Sequence, residues 1–155
     1  ADAGVLGRDH HHVGFAVASL GEALRVCLDG VGAELVRTGE MGGEFLSQVT
    51  GAHGAEVRLA IVSLAGQTIE LLEYQGVDRP SSPAKPFDPG FAHVAFVVDN
   101  IDALLSRIAT YGWKAQGTPQ PIAGGAWAGT RVIYVVGPDG ATIEFMQPPN
   151  AVREH

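Results

Sequence analysis

The chain has 155 residues, 46% of them hydrophobic and 17% charged, with a formal net charge of −7. That balance belongs to a folded globular protein, and its acidity, with ten scattered Lys and Arg, argues against a nucleic-acid partner and leaves a small molecule as the expected one. The apolar runs are too short to span a bilayer, no secretory signal is read at the N-terminus, and the lone Cys27 forbids an internal disulfide and fits a reducing cytoplasm.

In chain order, alternating apolar residues predict a strand over about residues 10–18, running into a helix over about 20–30. Ser19 and Glu22 have capping-box spacing at its start, and Leu20, Ala23, Leu24, Cys27 and Leu28 recur at helical intervals. Cys27 is read as ordinary core packing. Gly30 and Gly32 end the helix, and strands are expected at about 33–38, 56–64 and 67–74, the last two separated at Gly66. From Gly76 to Gly90 the chain carries Pro80, Pro83, Pro86 and Pro89, a linker. The plan then recurs: a strand at about 92–98, a helix at about 101–111 behind the N-cap Asn100, Gly112 as its stop, and strands at about 113–117, 130–136 and 141–147. The turn Pro138-Asp139-Gly140 separates the last pair.

The recurrence is visible in the letters. His12-Val13-Gly14-Phe15-Ala16-Val17 lies over His93-Val94-Ala95-Phe96-Val97-Val98 at an offset of 93 − 12 = 81, and Thr68-Ile69-Glu70-Leu71 lies over Thr142-Ile143-Glu144-Phe145 at 144 − 70 = 74. The seven-residue difference is a loop-length change between two copies of one module. The fold expected is therefore α+β: one domain over 1–155, with two βαβββ modules at about 8–75 and 91–148 joined by the linker at about 76–90.

Parity decides which way the repeated ionisable residues point. Val13, Phe15 and Val17, and in the second copy Val94, Phe96 and Val98, should face the helices, with Ile69, Leu71, Ile143 and Phe145 packing beneath them. His12, Glu70, His93 and Glu144 then share the opposite side, with small Gly14, Ala16 and Ala95 leaving room beside them. If the sheets curl together, the four meet in one central cavity. Two carboxylates so placed repel unless a cation neutralises them, so one divalent metal ion (Zn, Ni, Co, Mn or Fe) is expected, with neutral imidazoles completing its shell. His10, His11 and His53 are weaker candidates: His11 has the wrong parity to join His12, His10 lies one pleat outward, and His53 sits in the Gly51–Gly54 loop.

These segments resemble the vicinal oxygen chelate superfamily, which includes glyoxalase I, methylmalonyl-CoA epimerase, extradiol dioxygenases and bleomycin-resistance proteins. The carrying stretches are His11-His12-Val13-Gly14-Phe15, Ile69 to Tyr74, Phe91 to Ala95, and Gly137-Pro138-Asp139-Gly140 leading to Ile143-Glu144-Phe145. The resemblance implies curved sheets around an octahedral metal site held by His12, Glu70, His93 and Glu144, and a homodimer. It also implies a glyoxalase- or epimerase-like isomerase or lyase, with Glu144 and Glu70 as proton-transfer carboxylates beside a metal-polarised carbonyl. An Fe(II) dioxygenase using His12, His93 and Glu144 is the alternative, disfavoured by a fourth ligand at Glu70; a drug-binding resistance protein is another, disfavoured because such proteins usually lack the ligands. Arg37, Arg58 and Arg131 are candidates to meet an anionic substrate. Trp113, Trp127 and Tyr134 are candidates for a pocket wall, and the Gly124–Gly129 loop for its cover.

Overall fold

A computed structural model describes residues 7–80, 82 and 84–149; Pro83 of the linker and the two ends of the expected domain lie outside the described residues. The first half forms β1 (Val13–Ala16), α1 (Leu20–Arg25), β2 (Glu34–Met41), α2 (Gly43–Thr50), β3 (Glu56–Leu64) and β4 (Gln67–Gln75). The second forms β5 (Val94–Val97), α3 (Ile101–Ala109), β6 (Lys114–Ala115), β7 (Gln120–Pro121), β8 (Arg131–Val136) and β9 (Thr142–Gln147). Two mixed sheets result, ordered β1-β4-β3-β2 and β5-β9-β8-β6, with β7 paired to β8. In each, the first strand runs parallel to the last, Gly14 beside Glu70 and Ala95 beside Glu144. This is the α+β, paired βαβββ architecture expected.

Local chemistry accounts for the elements. The Ser19 hydroxyl accepts the Glu22 N–H at 3.2 Å, and the Asn100 side chain accepts that of Ala103 at 3.0 Å, so both helices carry the caps their sequences announce. The capping box is only half formed, because the Glu22 carboxylate turns to Arg25 at 3.2 Å instead. Beyond Arg25 the helix widens into a π-helical turn over Val26–Gly30, closed by Val31 N–H on the Val26 carbonyl. Between β3 and β4 the chain reverses in two residues, Ala65 and Gly66, both at positive φ, which is the tight turn a twisted hairpin takes.

Two elements depart from the expected plan. α2 was not foreseen: it is a short element behind Gly42 and Gly43 that buries only Leu46 and leaves Phe45 and Val49 exposed. It covers a separate small core of Leu46, Ala55, Val57 and Leu59, against which Leu72 and Tyr74 of β4 pack. The expected strand at about 113–117 is cut to two residues, with Gln120–Pro121 added as another two-residue strand.

The main core lies between the two halves. Val17, Leu20, Val26, Ile69 and Leu71 from the first share one buried cluster with Phe96, Ile101, Ile108, Val135 and Phe145 from the second. Cys27 packs against this cluster, and burial pushes its thiol up to about 11, so it stays protonated and inert. The helix-side face of each sheet is thus covered by its helix, the two halves meet where α3 reaches the π-helical turn after α1, and the opposite faces look outward. No helix of the described residues is long and apolar enough to cross a membrane.

Candidate metal centre

The outward faces carry the repeated residues. His12 stands just before β1, and Glu70 is central on the neighbouring β4; His93 and Glu144 hold the same relation to β5 and β9. Gly14, Ala16, Ala95 and Val97 are exposed around them, while Phe15, Val17, Phe96, Ile69 and Leu71 point into the core, as parity requires. A side chain at Gly14 would meet Leu72 at 3.4 Å and the Glu70 carboxylate at 3.9 Å, so glycine there keeps the space beside Glu70 open.

Each half brings its own pair together. His12 Nε2 lies 3.4 Å from Glu70 Oε1, and His93 Nε2 lies 2.9 Å from Glu144 Oε1. The imidazoles are 36% and 30% exposed and both carboxylates 18%, so each pair is half-sheltered yet open to a ligand. Imidazole nitrogen and carboxylate oxygen converging on one point is a donor set suited to a borderline divalent cation. The two pairs do not converge on one another: among the described residues, no group of three or more His, Cys, Asp or Glu side chains is placed to hold a metal ion. The expected meeting of all four in one cavity of a single chain is therefore not what the fold builds. The cause is the shared core, which turns the two site faces away from each other.

Other candidates fall into place around this. Tyr134, opposite Glu144 across the β8–β9 ladder, sets its ring 4.5 Å from that of His93 and its hydroxyl 3.5 Å from Nδ1. The corresponding neighbour of Glu70 is Ile61, so at that register position the second pair has a phenol and the first an alkyl side chain. His11 does reach His12, ring nitrogen to ring nitrogen at 2.7 Å. Parity failed there because the strand begins at Val13, and the irregular backbone before it frees His11 from alternation. His10 is exposed; His53 bonds Ser47 across the end of α2. Arg131 is committed to Asp102 through two hydrogen bonds of 2.9 and 3.1 Å, which also hold the Asp102 carboxyl below its usual range, so this arginine is not the free anion-binder considered from sequence. Trp113 is buried in the main core, away from the pairs, and Trp127 is half exposed on the Gly124–Gly129 loop.

Glu73 and Gln147 went unnoticed in the sequence. Glu73 Oε1 accepts the Leu20 N–H at 2.8 Å, and Gln147 Oε1 accepts the Ile101 N–H at 2.7 Å. They share the offset of Glu70 and Glu144 (147 − 73 = 74), and that spacing was the available signal. Each ties the last strand of its half to the start of its helix, fixing the strand that carries the glutamate of the pair.

The fold and the two pairs define a class, the paired-βαβββ proteins that present His and Glu from the first and last strands of each module. The chain belongs to the glyoxalase/bleomycin resistance protein/dioxygenase superfamily, whose model matches residues 11–134; this is the vicinal oxygen chelate superfamily. Among curated proteins it is similar to a 2-epi-5-epi-valiolone epimerase of an Actinomyces species, 30% identical over 144 residues, covering 90% of this chain and 79% of that protein. Among solved structures it is similar to a glyoxalase family protein from Bacillus cereus (TM-score 0.77, 24% identity, 96% of this chain and 99% of that one). The fosfomycin resistance protein FosX from Mesorhizobium loti shares the fold at TM-score 0.60 and 16% identity, over 96% of this chain and 98% of that one.

Proposed function

We propose that the protein is a metal-dependent isomerase that moves a proton on the carbon beside a carbonyl of a small molecule, and that its metal site is completed by a second copy of the chain. The observation that carries this reading is the repeat-related pairing of His12 with Glu70 and of His93 with Glu144 on open strand faces. One pair offers two ligands, fewer than the three or four protein donors that hold a divalent ion firmly. Joining His12 and Glu70 of one protomer to the partner's His93 and Glu144 supplies four, with two carboxylates to neutralise the charge. Members of the superfamily often form dimers, which supports this assembly.

A bound divalent ion would supply Lewis-acid polarisation of the substrate carbonyl. The chain's own residues do the rest. Glu70 and Glu144 are the two carboxylates able to take a proton from the adjacent carbon and to return it. His12 and His93 position their glutamates and hold the ligand set together, and Tyr134 limits the swing of the His93 ring. The epimerase relative supports isomerisation as the reaction class, since an epimerase inverts a carbon centre and proton removal followed by return on the other face does that.

Elemental analysis of the untagged protein, then assays with Zn, Ni, Co, Mn and Fe(II), tests the metal. Incubation with 2-epi-5-epi-valiolone in heavy water, followed by NMR, tests the reaction. The expected result is about one metal per pair of half-sites and deuterium entering beside the carbonyl. Protein that binds no divalent metal, or oxygen uptake with catechols in place of exchange, overturns the reading.

A further inference from the structure

The shared core between the two halves is not filled. On the helix side of the sheets, opposite the His–Glu pairs, lies a cavity of about 370 Å³. Phe15, Val26, Leu71, Trp113 and Ile143 give it an apolar wall, and Ala18, Ala23 and Ala141 make the room. A hollow of that size, open to solvent on one side, leaves its apolar lining short of dispersion contacts, which an apolar occupant would supply. By the ratio at which an apolar cavity of 150 Å³ takes benzene, it suits roughly ten to fifteen heavy atoms.

The charged side chains of its lining are acidic. Among the described residues, Glu22 and Asp139 are the only charged ones that line it. Glu22 is partly answered by Arg25, which stacks over Tyr111 at the rim. Asp139 is not: Oδ2 accepts the Ala18 N–H at 2.9 Å, and Oδ1 has no hydrogen-bond partner among the described residues. Arg79 lies in the neighbouring cleft beyond Asp139 and does not line this cavity.

We propose that this inter-module cavity is a binding site for a small apolar amine, its hydrocarbon part against Phe15, Trp113 and Ile143 and its ammonium head on Asp139. The site is separate from the His–Glu faces and does not depend on the reaction proposed for them. Occupancy ties the last turn of the second half, through Asp139, to Ala18 at the exit of β1, so the ligand stabilises the contact between the halves.

The test uses the full chain carrying Trp127→Phe, which leaves Trp113 in the cavity wall as the only tryptophan. Decylamine and decanoate are titrated below their micelle concentrations, and decanol below its solubility limit, while Trp113 emission is followed. The expected result is saturable binding, with the amine about fivefold tighter than the alcohol, the size a partly exposed ion pair supports, and decanoate weakest. Asp139→Asn should erase the amine's advantage while keeping the Ala18 hydrogen bond. Ala23→Leu should weaken all three ligands at least about tenfold by filling space, with metal uptake unchanged, because Ala23 lies on the opposite side of the sheet. Melting curves without ligand establish that each variant is folded. No saturable response in the folded protein, decanoate binding as tightly as decylamine, or unchanged affinity in a folded Ala23→Leu variant overturns the proposal.

Discussion

His93 is held from two sides, by Glu144 at its Nε2 and by the Tyr134 hydroxyl and ring at its other edge, whereas His12 has Glu70 and the neighbouring His11. The two pairs are repeats of each other in sequence but not in surroundings, and removing equivalent residues should have unequal effects. Outer partners that orient a ligating imidazole are worth about ten- to a hundredfold in metal affinity. Tyr134→Phe is therefore expected to weaken metal binding about tenfold with the melting temperature unchanged, read by competition with a chromogenic chelator. Ile61→Ala, opposite Glu70, should cost stability and leave metal affinity alone. Glu144→Gln and Glu70→Gln each remove a carboxylate proposed to move protons, and loss of such a group lowers turnover by about 10² to 10⁴. A variant of either that retains full turnover would show that the proton travels another way.

The strands that carry the glutamates are anchored to the helices by Glu73 and Gln147, which makes the strand-to-helix tie the element-scale determinant of site geometry. The Leu20 N–H and the Gln75 side chain hold the Glu73 carboxyl below its ordinary 4.5. A carboxyl whose pKa is lower in the folded chain stabilises the fold fully above its unfolded value and loses that contribution as pH falls through its folded one. Thermal stability should accordingly drop as pH falls below 4.5, and Glu73→Gln should flatten part of that drop while keeping the hydrogen bond, as Gln147 does in the second half. Glu73→Ala, which leaves the helix start without its acceptor, is expected to cost about 1 kcal/mol or more at neutral pH. A second element-scale contact lies where β8 meets the following turn. A Cβ on Gly137 would come within 2.8 Å of the Trp113 ring. Gly137→Ala must displace a buried indole, an overpacking change of about 1–3 kcal/mol, measurable as a lower denaturant midpoint.

For the molecule as a whole, the decisive feature is that the helix-covered sides of the two halves meet in one core and leave both His–Glu faces outward. If sites form between copies, subunit mixing has a definite outcome. Homodimers of His12→Ala and of His93→Ala are both inactive, but a mixed dimer contains one site with neither substitution. Random exchange should restore about a quarter of wild-type activity, since half the dimers are mixed and half of their sites are intact under two-fold symmetry. Sites built within one chain would recover nothing on mixing, and sedimentation of the same samples shows whether exchange took place. Cutting the shared core tests the frame itself. Phe145→Ala, removing one of the largest fully buried side chains, should cost about 3–5 kcal/mol and loosen β9, on which Glu144 stands.

The division between sequence and tertiary structure follows from range. The repeat, the caps at Ser19 and Asn100 and the parity that sends Phe15 and Phe96 inward and puts His12, Glu70, His93 and Glu144 on the opposite faces were legible in the amino acids, because they rest on local periodicity and on two copies of one pattern. α2 was not, since its short sequence buries a single residue and its partners Val57 and Leu59 come from a strand formed later in the chain. The contact of His11 with His12 depended on where β1 starts, which alternation alone does not set. Nor could periodicity say how the modules face one another. An apolar strand face packs equally well in a curled sheet or against a neighbouring helix layer, and the choice is made by side chains from both halves, Val26 with Ile108 and Trp113, meeting across the whole length of the chain. That long-range packing separates the four repeated His and Glu residues into two pairs, which no reading of either half by itself contains.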